Sequence, residues 1–246
     1  MKVGFFASCL VDQFRPTAGL ASVEVLQRCG CEVLFDHRQT CCGQPALNSG
    51  HRREAEAVCR RAIGLLHEQL EEDDCEAIVC PSGSCTAMFH HATHLLEGID
   101  KERAASVASR TYELGAFLVD VLKTNDVGAS WSGRVSWHDA CHGLRELGIR
   151  DQPRELLTQV RGLELIEAST CESCCGFGGT FSVTLPTISL AMADEKIDEL
   201  ERLSIDAVAS SDASCLMQLE GRLSERGSRI RGIHLAELLA AQDDIT

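Results

Sequence analysis

No apolar run in this chain approaches the roughly 18 residues that a membrane-spanning helix needs. The nearest thing to a leader is residues 1–9, which are apolar but short and soon interrupted by Asp12 and Arg15. They read as a first buried strand rather than a signal peptide. Clustered Lys and Arg are missing too. Acidic side chains outnumber basic ones by 37 to 23, a formal net charge of −14. That argues against a nucleic-acid partner, and acidity of this kind ordinarily serves solubility. No G-x-G-x-x-G follows a strand, so neither NAD nor FAD is indicated, and there is no serine nucleophile elbow. No low-complexity segment breaks the chain. With no transmembrane segment and no export signal, the expected compartment is a reducing cytoplasm.

What the chain has in excess is cysteine, fourteen in 246 residues. In a small secreted chain these would suggest a disulfide framework; in a reducing compartment, metal or redox use is the expectation. Cross-links are not needed to fold, because 44% of the residues are hydrophobic and the length supports one large domain or two small ones. Cys29, Cys31, Cys59 and Cys75 lie in or beside ordinary helix and strand patterns and read as small buried hydrophobes. The others do not.

Eight of them fall in a repeat. Val3-Gly4-Phe5-Phe6-Ala7-Ser8-Cys9 parallels Val135-Ser136-Trp137-His138-Asp139-Ala140-Cys141, two β-like runs ending in cysteines 132 positions apart. Cys41-Cys42-Gly43 parallels Cys174-Cys175-Gly176 at an offset of 133, and Ser82-Gly83-Ser84-Cys85 parallels Asp212-Ala213-Ser214-Cys215 at 130. Three anchors at nearly one offset mark a tandem duplication. Between them the pattern predicts helices over 18–28 and 154–160, strands over 31–35 and 163–166, and long helices over 52–70 and 190–203, whose apolar residues follow three- and four-residue steps. Short strands over 77–79 and 207–209 lead into the last anchors, and helices over 114–122 and 235–240 close the halves. Strands alternating with helices predict an α/β fold of two tandem-duplicated βαβ-type halves with parallel sheets. The halves are residues 1–128 and 129–246, with a linker over 125–133.

Open α/β sheets gather ligands at the carboxyl ends of their strands, where separate loops converge. The expected cluster sites are there, with Cys9, Cys41, Cys42 and Cys85 in the first half and Cys141, Cys174, Cys175 and Cys215 in the second. Four thiolates are the complement of an iron–sulfur cluster. Zinc is the rival metal, but adjacent cysteines suit a multinuclear cluster better than one tetrahedral ion. Gly43, Gly176, Gly178 and Gly179 would let backbone approach a bulky cofactor and aim amides at sulfur.

These strings also carry a family resemblance. The duplicated Cys-Cys-Gly pattern resembles the cysteine-rich CCG-domain proteins, a group that includes components of heterodisulfide reductase and the iron–sulfur protein of glycolate oxidase. The runs Cys41-Cys42-Gly43-Gln44-Pro45-Ala46 and Cys174-Cys175-Gly176-Phe177-Gly178-Gly179-Thr180-Phe181-Ser182-Val183 look most like the lactate-utilization A branch. The resemblance covers nearly the whole chain. It implies an iron–sulfur electron-transfer component of an L-lactate-oxidising complex, an oxidoreductase subunit working with a ferredoxin-like iron–sulfur subunit and a C-type subunit. The family motif ends each half in C-x-x-C, and here Ser82 and Asp212 hold the first of those positions. Four cysteines per half imply an ordinary [4Fe–4S] cluster in each, rather than the non-cubane clusters and disulfide chemistry associated with heterodisulfide reductase.

The remaining candidates each have two readings. Cys80 is either an extra thiol ligand or a buried strand residue. Asp212 is either an oxygen ligand or, better suited to its hard donor, a helix cap. Cys171, three residues before Cys174 in a C-x-x-C-C run, is either a spare ligand or redox partner or, the preferred reading, an unliganded loop cysteine. His90, His91 and His94 read as a helix surface, since no further ligand stands near them. His138, Asp139 and His142 bracket Cys141 and either line the second cluster or serve local packing. Arg15 and Arg145 either meet an anion or are solvated. No residue is singled out as catalytic. Two other functions stay open, a thiol–disulfide oxidoreductase and a zinc-held interaction module.

Overall fold

The computed structural model describes residues 1–243. Its first half runs β1 (Lys2–Phe5), α1 (Cys9–Phe14), α2 (Pro16–Arg28), β2 (Glu32–Phe35), α3 (Gln44–Asn48), α4 (Arg52–Glu71), β3 (Ala77–Cys80), α5 (Gly83–Leu95), α6 (Gly98–Ser109) and β4 (Thr111–Glu113). It closes on α7 (Leu114–Ala116) and a π-helical turn, Phe117–Val121. The second half runs β5 (Ser130–Trp137), α8 (Cys141–Glu146), α9 (Asp151–Gln159), β6 (Arg161–Leu165), α10 (Phe181–Thr184), α11 (Pro186–Arg202), β7 (Ala207–Ser210), α12 (Ala213–Glu225), β8 (Arg231–His234) and α13 (Leu235–Ala240). The strands form two four-stranded sheets, ordered β2-β1-β3-β4 and β6-β5-β7-β8, with every strand-to-strand pairing parallel. The duplicated α/β architecture is the one the anchors predict.

Parallel sheets are covered on both faces, so their central strands are continuous apolar runs. Ala77-Ile78-Val79-Cys80 is buried throughout, and its side chains alternate between two cores. Ala77 and Val79 join Val3 and Phe5 on the inner side, while Ile78 and Cys80 join Phe6 on the outer side. Strand β7 repeats the arrangement, with Ala207 and Ala209 inward and Val208 outward. The outer cores are private. One is capped by Ala55, Cys59, Ile63 and Leu66 of α4, the other by Ile197 and Leu200 of α11.

The inner core belongs to both halves. Val25 and Leu26 of α2 and Phe117 pack in one cluster with Trp131, Val135, Leu156, Leu235 and Leu238. Polar contacts cross the same seam. Arg28 donates to the carbonyl oxygens of Leu239 and Ala240 at 3.1 and 3.0 Å, and Arg15 pairs with Glu220 and, at 3.6 Å, with Glu237.

The structure departs from the sequence pattern in three places. Strand β5 starts at Ser130, inside the expected linker; Trp131 is buried, and the pairing with β6 shifts register between Ser130 and Gly133. The Gly, Ala and Ser content of that stretch hides the strand. The closing helix over 114–122 passes into the π-helical turn. Helices α1, α3, α6, α8 and α10 and strands β4 and β8 are additions to the pattern, the strands because three or four residues carry no readable alternation. Among the described residues no helix is long and apolar enough to cross a membrane.

Candidate metal centre

In a sheet ordered 2-1-3-4, the crossovers from the two central strands leave in opposite directions, opening a crevice at their carboxyl ends. The cysteines sit on that crevice. Cys9 opens α1 after β1, Cys85 lies in the first turn of α5 after β3, and Cys41-Cys42 enters on the loop after β2. The second half repeats this with Cys141, Cys215 and Cys174-Cys175. Each set divides into an outer half-buried pair and an inner buried pair. Cys9 and Cys41 bring their sulfurs to 3.7 Å, Cys42 and Cys85 to 3.3 Å, and Cys175 and Cys215 to 3.0 Å.

One thiol of each outer pair is held toward its thiolate. Hydrogen bonds from Cys42 and then Cys9 push Cys41 far below its ordinary value, and hydrogen bonds from Cys141 and Cys175 do the same for Cys174. The amides of Gly43 and Gly176 add to this by donating to those sulfurs, each at 3.4 Å. Cys215 is lowered to about 7, the Cys175 hydrogen bond and the nearby His138 outweighing its burial. Thiolates rather than thiols are the form a metal takes.

The two sets are not separate sites. All eight cysteines line a single cavity of about 770 Å³ measured out to its mouth, together with Ser82, Asp212, His142, Gly178 and Gly179. Small residues let the helix starts converge there. A Cβ on Gly83 would come within 3.1 Å of the Gly143 Cα, and at the pseudo-symmetric place Ala213 packs on Val11. Ser82 caps α5 through the Cys85 amide at 3.4 Å. Asp212 caps α12 through the Ser214 amide at 3.2 Å and also accepts from the Ser84 amide of α5 at 3.0 Å. One buried carboxylate therefore ends two helices.

Cys80 is buried at the end of β3, in the outer core with Cys85 and outside the cavity lining. The Cys171 carbonyl accepts from the Asp139 amide and from the buried Lys196 ammonium, and nothing in the spacing points to Lys196. Asp139 is held by the Trp137 indole at 2.8 Å and by Arg154. His142 lies 3.6 Å from the Cys141 sulfur. His90 bonds the Thr111 carbonyl, and His91 and His94 stack loosely, ring centres 6.0 Å apart. Arg15 is spent on Glu220 and Glu237, and Arg145 reaches the Glu172 carbonyl at 3.4 Å. Among the described residues, His138, Cys175 and Cys215 form the one group of His, Cys or acidic donors clustered for a metal ion, their ligand atoms all within 4.8 Å of one another. Gly43 and Gly176 have positive φ, and a Cβ on either would strike the carbonyl oxygen of Ala55 or Ser189. The packing of α4 or α11 thus imposes the glycine, while the amide faces sulfur.

Residues 3–90 and 135–220 match the CCG cysteine-rich domain, one match for each sheet and each cysteine set. Lactate utilization protein A of Geobacillus sp. (strain WCH70) is 45% identical over 242 residues, covering 97% of this chain and 99% of its own. The chain belongs to the lactate utilization protein A family. Two more members show the same full-length likeness. The Geobacillus kaustophilus protein is 45% identical, with 99% of this chain and 100% of its own covered. The Halalkalibacterium halodurans protein is 44% identical, with 99% and 98% covered. Among solved structures, the Picrophilus torridus aspartate racemase aligns over 97% of this chain and 90% of its own at 13% identity, with a TM-score of 0.37, too loose to bear on function. The chain thus carries the cysteine-rich domain of that family twice, once in each half.

Proposed function

We propose that this chain is the iron–sulfur electron-transfer component of an L-lactate-oxidising complex. In this reading residues 1–128 hold one [4Fe–4S] cluster on Cys9, Cys41, Cys42 and Cys85, and residues 129–246 a second on Cys141, Cys174, Cys175 and Cys215. The observation that carries it is the meeting of both thiol sets in one cavity. The donor chemistry fits: four sulfurs per half, with amide donors to Cys41 and Cys174, is what iron–sulfur clusters take. Helix starts α5 and α12 add their positive ends, which favour an anionic group. Bound there, the clusters would supply one-electron carriers. Conversion of L-lactate to pyruvate releases two electrons and two protons, so a pair of one-electron centres accepts what one turnover delivers.

Substrate oxidation itself falls to a partner. Among the described residues no Arg or Lys lines the cavity, so no cationic side chain is there to recognise the lactate carboxylate. The ferredoxin-like subunit and the C-type subunit of the system are the partners this reading calls for. Anaerobic purification with iron, sulfide and zinc analysis and EPR tests it. Roughly eight irons per chain are expected if each half holds a four-iron cluster; zinc without iron would replace the relay with a scaffold. The open mouth of the cavity favours one second reading, reduction of a substrate disulfide between the two thiol sets. Turnover of small disulfides with an artificial electron donor would establish that reading, and its absence leaves the relay.

A further inference from the structure

The two halves correspond residue by residue at the site, and the comparison exposes a difference between them. The Phe6 amide donates to the Val79 carbonyl at 2.9 Å, and the His138 amide donates to the Ala209 carbonyl at 2.7 Å. Phe6 and His138 therefore occupy the same place, just beyond the first strand of each sheet. Phe6 packs edge-on against Phe89, ring centres 4.8 Å apart, in a core that also holds Cys42 and Cys85. That end of the first site offers sulfur and hydrocarbon only. In the second half the same place holds an imidazole.

His138 is buried, and among the described residues neither of its ring nitrogens makes a hydrogen bond of ordinary geometry; its polar interaction is with the Cys215 sulfur, which it helps to hold toward the thiolate. A buried polar group left unpaired costs roughly 1–3 kcal/mol, and such exceptions call for a specific explanation. The groups that face the ring are the sulfurs of the inner pair, Cys175 and Cys215. A second exchange points the same way. The buried faces of α4 and α11 match in order, Ala55, Cys59, Ala62, Ile63 and Leu66 against Ser189, Ala193, Lys196, Ile197 and Leu200. Where the first half has Ala62, the second has a buried ammonium resting on the Thr170 and Cys171 carbonyl oxygens.

We propose that His138 is a nitrogen ligand of the second metal centre, completing with Cys175, Cys215 and one thiolate of the outer pair a mixed histidine–cysteine set, while the first centre is held by cysteine alone. The proposal rests on the reading above that both halves hold iron–sulfur clusters, and in the second set of that reading it puts His138 in place of one outer thiolate, Cys141 or Cys174. Replacing a thiolate by neutral imidazole removes negative charge from a cluster and raises its potential. The Lys196 ammonium acts in the same direction. The second centre is then the more oxidising of the two, and electrons pass from the first half to the second.

The test uses the full chain, purified anaerobically with ¹⁵N-labelled histidine and reduced chemically. Pulsed EPR should show strong coupling to a directly bound histidine nitrogen at one of two centres, with no variant required. His138→Phe installs the residue that the first half already tolerates. It should abolish that coupling and lower the potential of one centre, leaving the other unchanged. Two iron-loaded centres with no nitrogen coupling, or only the weak coupling of a hydrogen-bonded ring, would overturn the ligand assignment while leaving the relay intact. A chain that takes up no iron overturns both.

Discussion

At Asp212 a single buried carboxylate ends both α5 and α12, accepting from the Ser84 and Ser214 amides. Loss of a cap costs about 1 kcal/mol, so Asp212→Ala should lower stability by about 2–3 kcal/mol in urea unfolding, with Asp212→Asn costing less. Gly176 is constrained differently. Its φ of +87° disfavours any side chain, and a Cβ would enter the Ser189 carbonyl oxygen. Gly227, at φ +67° with nothing near its Cβ position, isolates the backbone cost. Gly227→Ala should cost about 1 kcal/mol and Gly176→Ala at least twice that, read as shifts in urea midpoint at constant slope. Glu113 supplies a pH dependence. Burial raises its pKa from 4.5 to about 7, so the folded state binds the proton more tightly than the unfolded chain. Its contribution is full below about pH 4.5 and is lost as pH rises through about 7, a change on the order of 3 kcal/mol. Glu113→Gln keeps an oxygen for the Ala116 amide and should flatten the stability profile between those pH values.

Among the elements, the approach of α5 to α8 is a close backbone contact between the halves, and it is asymmetric. A methyl on Gly83 would press on the Gly143 Cα at 3.1 Å, whereas a methyl on Gly143 would find Gly83 at 4.0 Å. Gly83→Ala should therefore cost about 1–3 kcal/mol as an overpacked contact and disturb the spectrum of any bound cluster, while Gly143→Ala should leave the spectrum unchanged. Thermal unfolding and EPR of the two variants read the difference. Most elements are legible in the sequence because their chemistry is local. The three- and four-residue steps of Ala55, Val58, Ala62, Leu65 and Leu66 lie within α4, and Ala77-Ile78-Val79 is an apolar run before an anchor cysteine. The start of β5 is not legible, because the burial of Trp131 is set by a core contributed from residues far away in sequence.

At the scale of the molecule, the shared inner core makes the halves one cooperative unit. Leu238 of α13 lies in the same cluster as Val3, Val25 and Leu26 of the first half. Leu238→Ala should cost about 2–5 kcal/mol and lower a single transition seen alike by calorimetry and circular dichroism. Residues 1–128 made alone leave that core uncovered, and they should show no cooperative unfolding. Two separate transitions in the intact chain would contradict this view.

The sequence by itself determined the duplication, the parallel α/β halves and the eight paired cysteines, because spacing between anchors and the period of apolar residues are properties of the chain. Only the tertiary structure decided that both thiol sets open into one cavity, that Asp212 ends two helices, and that His138 rather than His90, His91 or His94 faces sulfur. The first two depend on how the two sheets pack across one inner core filled by side chains of both halves, and the third on how the loops after β5, β6 and β7 fold together within the second half, an arrangement set at long range. No local pattern carries it.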